Sequence, residues 1–494
     1  MRTDAHWKKI GMGPHHGICL PLFSLRTKKN CGIGEFLDLI PLIEWCKNVG
    51  FDCLQLLPLN DTGHDTSPYN PLSSCALDPV YLSLWDLPGA AAAFEPFQSC
   101  RNSTRLCRRE VKTLKLEWLR AYFETVFSSL SQTASYRDFI ASTPWLLEYS
   151  HFIANKSAFQ DKHWKDWPAN PQPDREEIDF HNFLQYLCFS QLEKVRAKAN
   201  SHSLFLIGDT PYLLSPDSAD VWAHRSLFQL DFSAGAPPDQ YNVLGQDWGF
   251  PLFDWDAMRS DHYAWWKRRL STIAKLYHIY RIDHVVGFFR IWAIAKGCLP
   301  SEGSFIPADP AKWIQQGREI LEMMIDFCPL LPLAEDLGTI PLAVYPVLKE
   351  LGICGTRVLR WQGFTPYDLY EPFSMTTVST PDMEPLPLWW QKFPDEALAF
   401  CAFKKWEYAP VLTPERQVQI LRDAHHTSSY LHINLLQEYL FSFPEFGWAN
   451  LEDERINVPG TLLPTNWTYR FRPYLEEIVN HKPLASMIRT ILLK

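Results

Sequence analysis

The chain has 494 residues, of which 46% are hydrophobic and 21% are charged. This composition is typical of a globular protein with one very large core or two domains, and it excludes extensive disorder. The net charge of −9 argues against a nucleic-acid partner and against an anionic membrane surface, because both attract basic proteins.

Twelve cysteines occur without a Cys-x-x-Cys pair or a regular spacing, which predicts reduced core thiols and no metal site or disulfide framework. The N-terminus has no apolar signal core, and no run of 18 apolar residues follows it. We therefore expect a cytoplasmic protein. Aromatic residues make up 14% of the chain, and a surplus of Trp and Tyr suits flat ligands such as sugar rings.

The chain begins with a strand, helix, strand pattern. Residues 17–23 form an apolar run, a helical period follows from Gly32 to about Gly50, and residues 51–59 form a second apolar run. This order predicts a parallel crossover unit. Residues 61–179 break the pattern with loop residues and a helical stretch, and we interpret them as an insertion subdomain on the loop after strand 2.

Beyond the insertion, apolar runs alternate with helical periods. The predicted strands three to eight cover residues 203–209, 277–284, 330–338, 355–361, 374–382 and 431–437. Residues 248–253 are interpreted as a Gly/Pro-rich loop. Eight strands with intervening helices predict an α/β fold, a (β/α)8 TIM barrel in which residues 1–494 form a single catalytic domain with large loop insertions.

Acidic side chains follow several of the predicted strands. Asp209, Asp283, Glu335 and Asp382 stand at or near the carboxyl ends of strands three, four, five and seven, where barrel enzymes collect their chemistry. Arg281 and His284 flank Asp283. An Arg–Asp pair that merely closes a buried strand is an equal alternative for that stretch when it is considered alone.

Converging carboxyl groups without a metal-spaced His/Cys set fit glycoside chemistry. One carboxyl group protonates the leaving oxygen while another attacks the anomeric carbon or activates water. The sequence has no phosphate-binding Gly loop, no HExxH and no GxSxG motif, which makes nucleotide-binding, zinc-protease and esterase functions poor fits.

Several segments, in order, resemble the signature blocks of the amylomaltases, the 4-α-glucanotransferases of glycoside hydrolase family 77. They are Leu56-Leu-Pro-Leu59, Ser67-Pro-Tyr69, Gly208-Asp-Thr-Pro211, Gly245-Gln-Asp-Trp-Gly-Phe-Pro251, Arg281-Ile-Asp-His284, Ala334-Glu-Asp-Leu-Gly338 and Arg455-Ile-Asn-Val-Pro-Gly-Thr461. The resemblance runs from about Gly17 to Arg472. It implies retaining transfer of α-1,4-glucan segments between maltooligosaccharides or glycogen-like acceptors, with no cofactor.

The resemblance also implies residue roles. Asp283 matches the nucleophile, Glu335 the general acid/base and Asp382 the acid that stabilises the transition state. We expect Arg281 to keep Asp283 ionised, and Glu335 to hold its proton near neutral pH. The next residue, Asp336, should face the other side of the strand and be structural.

Further matches concern substrate contacts. Tyr69 resembles the residue that stacks on the donor sugar, and Trp248 the aromatic that covers the acceptor side. Asp209 either positions Arg281 or the sugar, or is only the buried partner of Arg281. His284 bonds either a sugar hydroxyl or its own loop backbone. Asn457, Gly460 and Trp467 are expected to support the site from beneath.

Two positions depart from the family. Thr380-Pro-Asp382 replaces the usual Thr-His-Asp, so that one hydrogen bond to a substrate hydroxyl is lost. This loss should weaken substrate binding by roughly 1 kcal/mol. His284 is followed by Val285 and Val286, where the family has an Arg. Two alternatives stay open: an α-glucan hydrolase of the same clan, and a glucan-binding protein with a decayed site.

Overall fold

The computed structural model describes residues 1–88, 94–238 and 243–493. The twelve β-strands of these ranges are β1 His15–Leu20, β2 Cys53–Leu56, β3 Phe205–Thr210, β4 Phe228–Ala236, β5 Gln246–Phe253, β6 Ile279–Ile282, β7 Ile291–Ala295, β8 Ser304–Ile306, β9 Leu331–Ala334, β10 Cys354–Val358, β11 Ser374–Thr377 and β12 Leu431–Leu435.

Eighteen α-helices lie in the same ranges. They are α1 Asp4–Ile10, α2 Leu39–Val49, α3 Gln98–Asn102, α4 Arg108–Leu130, α5 Ala134–Ala141, α6 Trp145–Ala158, α7 Arg175–Ser201, α8 Ala219–Ala223, α9 Trp255–Ser260, α10 Ala264–Leu276, α11 Pro310–Phe327, α12 Val344–Leu351, α13 Leu386–Lys392, α14 Pro394–Lys404, α15 Pro414–His425, α16 Leu436–Leu440, α17 Leu475–Asn480 and α18 Lys482–Leu492. None of them has the length and apolarity needed to cross a bilayer.

Eight strands close into a barrel in the order β1-β12-β11-β10-β9-β6-β3-β2. Every neighbouring pair in it is parallel. All eight predicted strands are confirmed, and so is the (β/α)8 barrel with insertions. The strands carry continuous apolar runs because parallel strands of this kind are covered on both faces.

The connections after two barrel strands form a second sheet that the sequence did not reveal. Strands β4 and β5 follow β3, strands β7 and β8 follow β6, and they pair antiparallel in the order β5-β4-β7-β8. The interpretation of residues 248–253 as a loop was wrong, because they belong to β5. Pro251 is tolerated there because β5 is an edge strand. Gly249, with φ +76°, adopts a left-handed conformation that glycine enters readily.

Residues between β2 and β3 carry helices α3 to α7. The long helices α4 and α7 pack together, and aromatic side chains such as Phe123 and Phe183 fill the space between them. This segment contributes buried residues to the same hydrophobic core as the barrel. It also meets the barrel through buried ion pairs, one of which joins Lys115 of α4 to Glu35 at 2.7 Å.

Candidate active site

The four acids predicted at the strand ends lie together in the structure. Asp209 is in β3, Asp283 and Glu335 directly follow β6 and β9, and Asp382 lies five residues beyond β11. Because all barrel strands are parallel, their carboxyl ends meet on one side of the barrel. All four acids line one cavity there, which also contains Arg281 and Tyr69.

Arg281 is the cation of this site. Its Nη1 donates to both carboxylate oxygens of Asp209 at 2.7 Å and to Oδ1 of Asp283 at 3.2 Å. Its Nη2 lies 3.9 Å from Oε2 of Glu335. Burial lowers the pKa of Arg281, but the surrounding acids outweigh burial, so that the pKa is raised and the guanidinium stays charged.

Glu335 is surrounded by groups that act on its proton in opposite directions. Burial, as the largest effect, raises the pKa of Glu335 to about 7; Arg281 opposes this shift and the charge of Asp283 adds to it. Backbone N–H groups of His284 and Leu337 donate to the two carboxylate oxygens at 2.8 and 3.1 Å. Glu335 therefore holds a proton close to neutral pH, as predicted, and the cause is burial and Asp283.

The neighbouring Asp336 has different partners. Its side chain is fully buried and accepts from the backbone N–H of Thr356 at 2.6 Å and from Arg357 Nη1 at 2.9 Å. The prediction that Asp336 is structural is confirmed, because adjacent residues of an extended chain point to opposite sides.

Asp382 is held by a residue from the distant C-terminal part of the chain. Asn457 Nδ2 donates to Oδ1 of Asp382 at 2.6 Å, and the Asn457 backbone N–H donates to the carbonyl oxygen of Pro381 at 3.2 Å. Burial raises the pKa of Asp382, and the Asn457 hydrogen bond opposes that shift. Sequence reasoning placed Asn457 beneath the site, but it contacts the acid directly.

The three aromatic residues that were predicted to contact the substrate lie in two different parts of the site. The Tyr69 hydroxyl donates to Oδ2 of Asp209 at 2.8 Å, and the Tyr69 ring packs against Trp467. Trp248, on β5, meets the His284 ring edge-on at a centroid distance of 5.1 Å. Tyr69 lines the cavity, whereas Trp248 and His284 are not among its lining residues.

His284 also has an unusual backbone. Its φ is +46°, in the left-handed region that residues other than glycine rarely adopt. In this conformation the His284 N–H donates to Glu335. Such strain is concentrated at functional sites, where the surrounding structure maintains it.

The two departures from the family pattern are both in or near the site. Pro381 lines the cavity next to Asp382. Val285 and Val286 are buried in the 3-10 turn after His284. Their apolar side chains pack into the hydrophobic core, so that this turn is held by packing.

Sequence reasoning missed part of the cavity floor, which contains Gln55 of β2 and Cys19 of β1. Both residues lie inside apolar runs that were interpreted only as strands. The alternation of side chains along β2 is the signal that could have found Gln55, because an inward-facing amide in a barrel strand requires a partner.

Comparison with known proteins agrees with this geometry. The family described as 4-alpha-glucanotransferase matches residues 20–476. A 4-alpha-glucanotransferase of Chlamydia pneumoniae is 43% identical over 99% of this chain and 97% of its own length, and that of Chlamydia caviae is 41% identical over 99% and 96%. The fold matches an amylomaltase structure from Streptococcus agalactiae with a TM-score of 0.81 at 23% identity, over 97% of this chain and 98% of that one. The chain therefore belongs to the 4-alpha-glucanotransferase family, whose activity is the transfer of α-1,4-glucan segments.

Proposed function

We propose that this chain transfers α-1,4-glucan segments by a retaining double displacement with Asp283 as the nucleophile and Glu335 as the acid/base. The observation that carries the proposal is the pairing of these two carboxyl groups across Arg281. Asp283 has a direct ion pair with the guanidinium, whereas Glu335 is farther from it and has its pKa raised to about 7. Two carboxyl groups in such different surroundings suit a nucleophile and a proton donor.

In the first step, a carboxylate oxygen of Asp283 attacks carbon 1 of the donor glucose. The glycosidic C–O bond breaks, and the Glu335 proton passes to the departing oxygen. In the second step, the Glu335 carboxylate takes the proton of an acceptor 4-hydroxyl. That oxygen attacks carbon 1, and the bond to Asp283 breaks. The net charge of the site is restored after each transfer.

Asp382 is proposed to stabilise the positive charge that develops on the sugar ring, and its bond to Asn457 supports this role by holding the carboxylate in place. Asp209 is proposed to act mainly by orienting Arg281, since it accepts two hydrogen bonds from the guanidinium. A direct contact of Asp209 with the sugar stays a prediction. Tyr69 is proposed to pack against the donor sugar.

Transfer exceeds hydrolysis only when an acceptor is bound and water is kept from the covalent intermediate. We assign the covering of the acceptor side to Trp248 together with His284, which it contacts. Residues 61–179 are proposed to be an insertion subdomain of one barrel domain with a similar covering role. The position of their helices between β2 and β3 supports this proposal.

The substrates are proposed to be maltooligosaccharides and glycogen-like acceptors. In support, the S. agalactiae amylomaltase structure is a complex with acarbose. A cytoplasmic location is proposed as well, because all twelve cysteines are free thiols and ten of them are buried.

Product analysis after incubation with maltotriose, with and without glycogen, tests the proposal. We expect glucose together with chains longer than maltotriose, and no net gain of reducing ends. Glycogen should divert the transferred units into polymer. Products that are only shorter than maltotriose, with reducing ends increasing, would identify a hydrolase. The absence of any product would identify a glucan-binding protein.

A further inference from the structure

The floor of the active-site cavity contains an amide that has no assigned role. Gln55 lies in β2 between Leu54 and Leu56, which are fully buried. Successive side chains of a strand point to opposite faces, so Gln55 faces the barrel interior while its neighbours face the helices. It lines the same cavity as Asp283 and Glu335, and only 6% of its surface is exposed.

The strand register places this amide below the acids. Gln55 pairs with Cys19 of β1 and with Ile207 of β3, and Asp209 lies two residues beyond Ile207. Inward side chains of a barrel are arranged in layers, so Gln55 belongs to the layer beneath the Asp209–Arg281 pair. Several other residues that line the same cavity are apolar: Cys19, Met375, Ile433 and Leu435.

The Gln55 amide differs from other buried amides in the chain. Gln185 accepts from the Leu77 N–H at 2.9 Å and donates to the Leu77 carbonyl at 2.8 Å. Gln191 makes the same two bonds with Ser83. Within residues 1–88, 94–238 and 243–493, the structure gives the Gln55 amide no hydrogen-bond partner. An amide that faces a cavity without a protein partner is free to bond a ligand there.

We infer that Gln55 binds a hydroxyl group of the glucose unit in the cavity and selects for sugars that carry this hydroxyl. The inference rests on the proposed function in one respect, namely that the donor sugar occupies this cavity. The amide offers both a donor and an acceptor, and a sugar hydroxyl can use either. A site built to bond a hydroxyl rejects analogues that lack it, because the polar group of the site is then left unpaired.

The test compares Gln55→Met with the wild type on α-maltosyl fluoride and on its three analogues that each lack one free hydroxyl, at carbon 2, 3 or 6, of the glucose unit that carries fluorine. Met preserves the volume and removes the amide. We expect kcat/KM for the parent donor to fall about ten- to hundredfold. One deoxy donor should lose a similar factor in the wild type and lose almost nothing further in the variant, which is the non-additivity of two partners in contact.

Stability distinguishes this role from a structural one. Gln55→Met should leave the melting temperature of the free enzyme unchanged or raise it, since no protein hydrogen bond is lost. Gln185→Met, the matched control, should lower the melting temperature and leave kcat/KM unchanged.

Wild-type kcat/KM in the Gln55→Met variant would overturn the inference, as would additive losses for every deoxy donor. Calorimetric binding of acarbose, the ligand of the S. agalactiae structure, whose N-linked pseudo-sugar bond the enzyme does not cleave, should weaken in the variant by the same factor. This measurement reports on Gln55 even if Asp283 proves not to be the nucleophile, so the two proposals fail independently.

Discussion

Two buried ion clusters among the described residues differ in their balance of positive and negative charges. The packing cluster lies between the barrel and α4 and consists of the ion-paired residues Arg108, Lys112, Lys115, Asp61, Asp78 and Glu35. It has three cations and three acids. The active-site cluster has Arg281 in ion pairs with three acids, Asp209, Asp283 and Glu335, and Asp382 lines the same cavity.

One acid from each cluster shows what the imbalance does. Burial tends to raise the pKa of Asp61, but Lys112 at 2.6 Å and the Tyr149 hydroxyl lower it to about 2. Burial raises the pKa of Glu335 to about 7, because its nearest cation in the cluster is 3.9 Å away and shared with other acids. Lys112 thus keeps Asp61 charged, whereas the distant and shared Arg281 leaves Glu335 a proton for catalysis. Charge balance is not the whole cause, because burial also raises the pKa of Glu35 in the packing cluster, although Lys115 opposes that shift.

The largest expected effect concerns the nucleophile. Asp283→Asn should reduce transfer on the order of 10⁴-fold or more, because no covalent intermediate can form. Its melting temperature should not fall, since the change removes one acid from a surplus. The measurements are the initial rate of disproportionation of maltotriose and a thermal melt, and near-normal turnover would refute the assigned role.

The second prediction applies the same change, Asp to Asn, to the packing cluster, where the opposite effect on stability is expected. Asp78→Asn leaves Arg108 and Lys112 with one negative charge fewer in a buried place, so that the free energy of unfolding should fall by about 3–5 kcal/mol. Urea denaturation measures the loss. The folded variant should retain its turnover well below its melting temperature. A loss of under about 1 kcal/mol would show that charge balance is not what separates the clusters.

The smallest effect is a pH dependence. Glu335 must be protonated to act as an acid, and its pKa in the folded protein is about 7. The value of kcat/KM for maltotriose should therefore be at its maximum below this pH and decline about tenfold per pH unit above it.

A donor with a leaving group that needs no proton provides the control for this pH dependence. With α-maltosyl fluoride the decline should largely disappear, since fluoride departs without acid assistance. The same decline with both donors would assign the titration to another group.

Part of this architecture was predictable from local sequence. The eight apolar runs predicted the barrel strands, although the seventh was predicted to span 374–382 and β11 covers only Ser374–Thr377. The boundary was wrong because Val378 and Ser379 are as buried as the strand itself. The four rim acids were predictable because parallel strands end on the same side.

Other features depend on contacts between distant parts of the chain. The second sheet escaped detection because β5 contains Gly249 and Pro251, two residue types that do not favour strands. The pairing of β5 with β4 holds this segment in a strand all the same. The Asn457 bond to Asp382 joins residues 75 positions apart, and no local pattern encodes it.

The sequence by itself determined the fold class, the family and the acids that meet at the barrel mouth, because strand periodicity and short motifs are local properties of the chain. Only the tertiary structure decided how Arg281 divides its contacts among those acids, that the pKa of Glu335 is raised, and that the Gln55 amide faces the cavity with no hydrogen-bond partner among the described residues. The physical reason is that pKa values and hydrogen-bond satisfaction depend on burial and on neighbours brought together by folding.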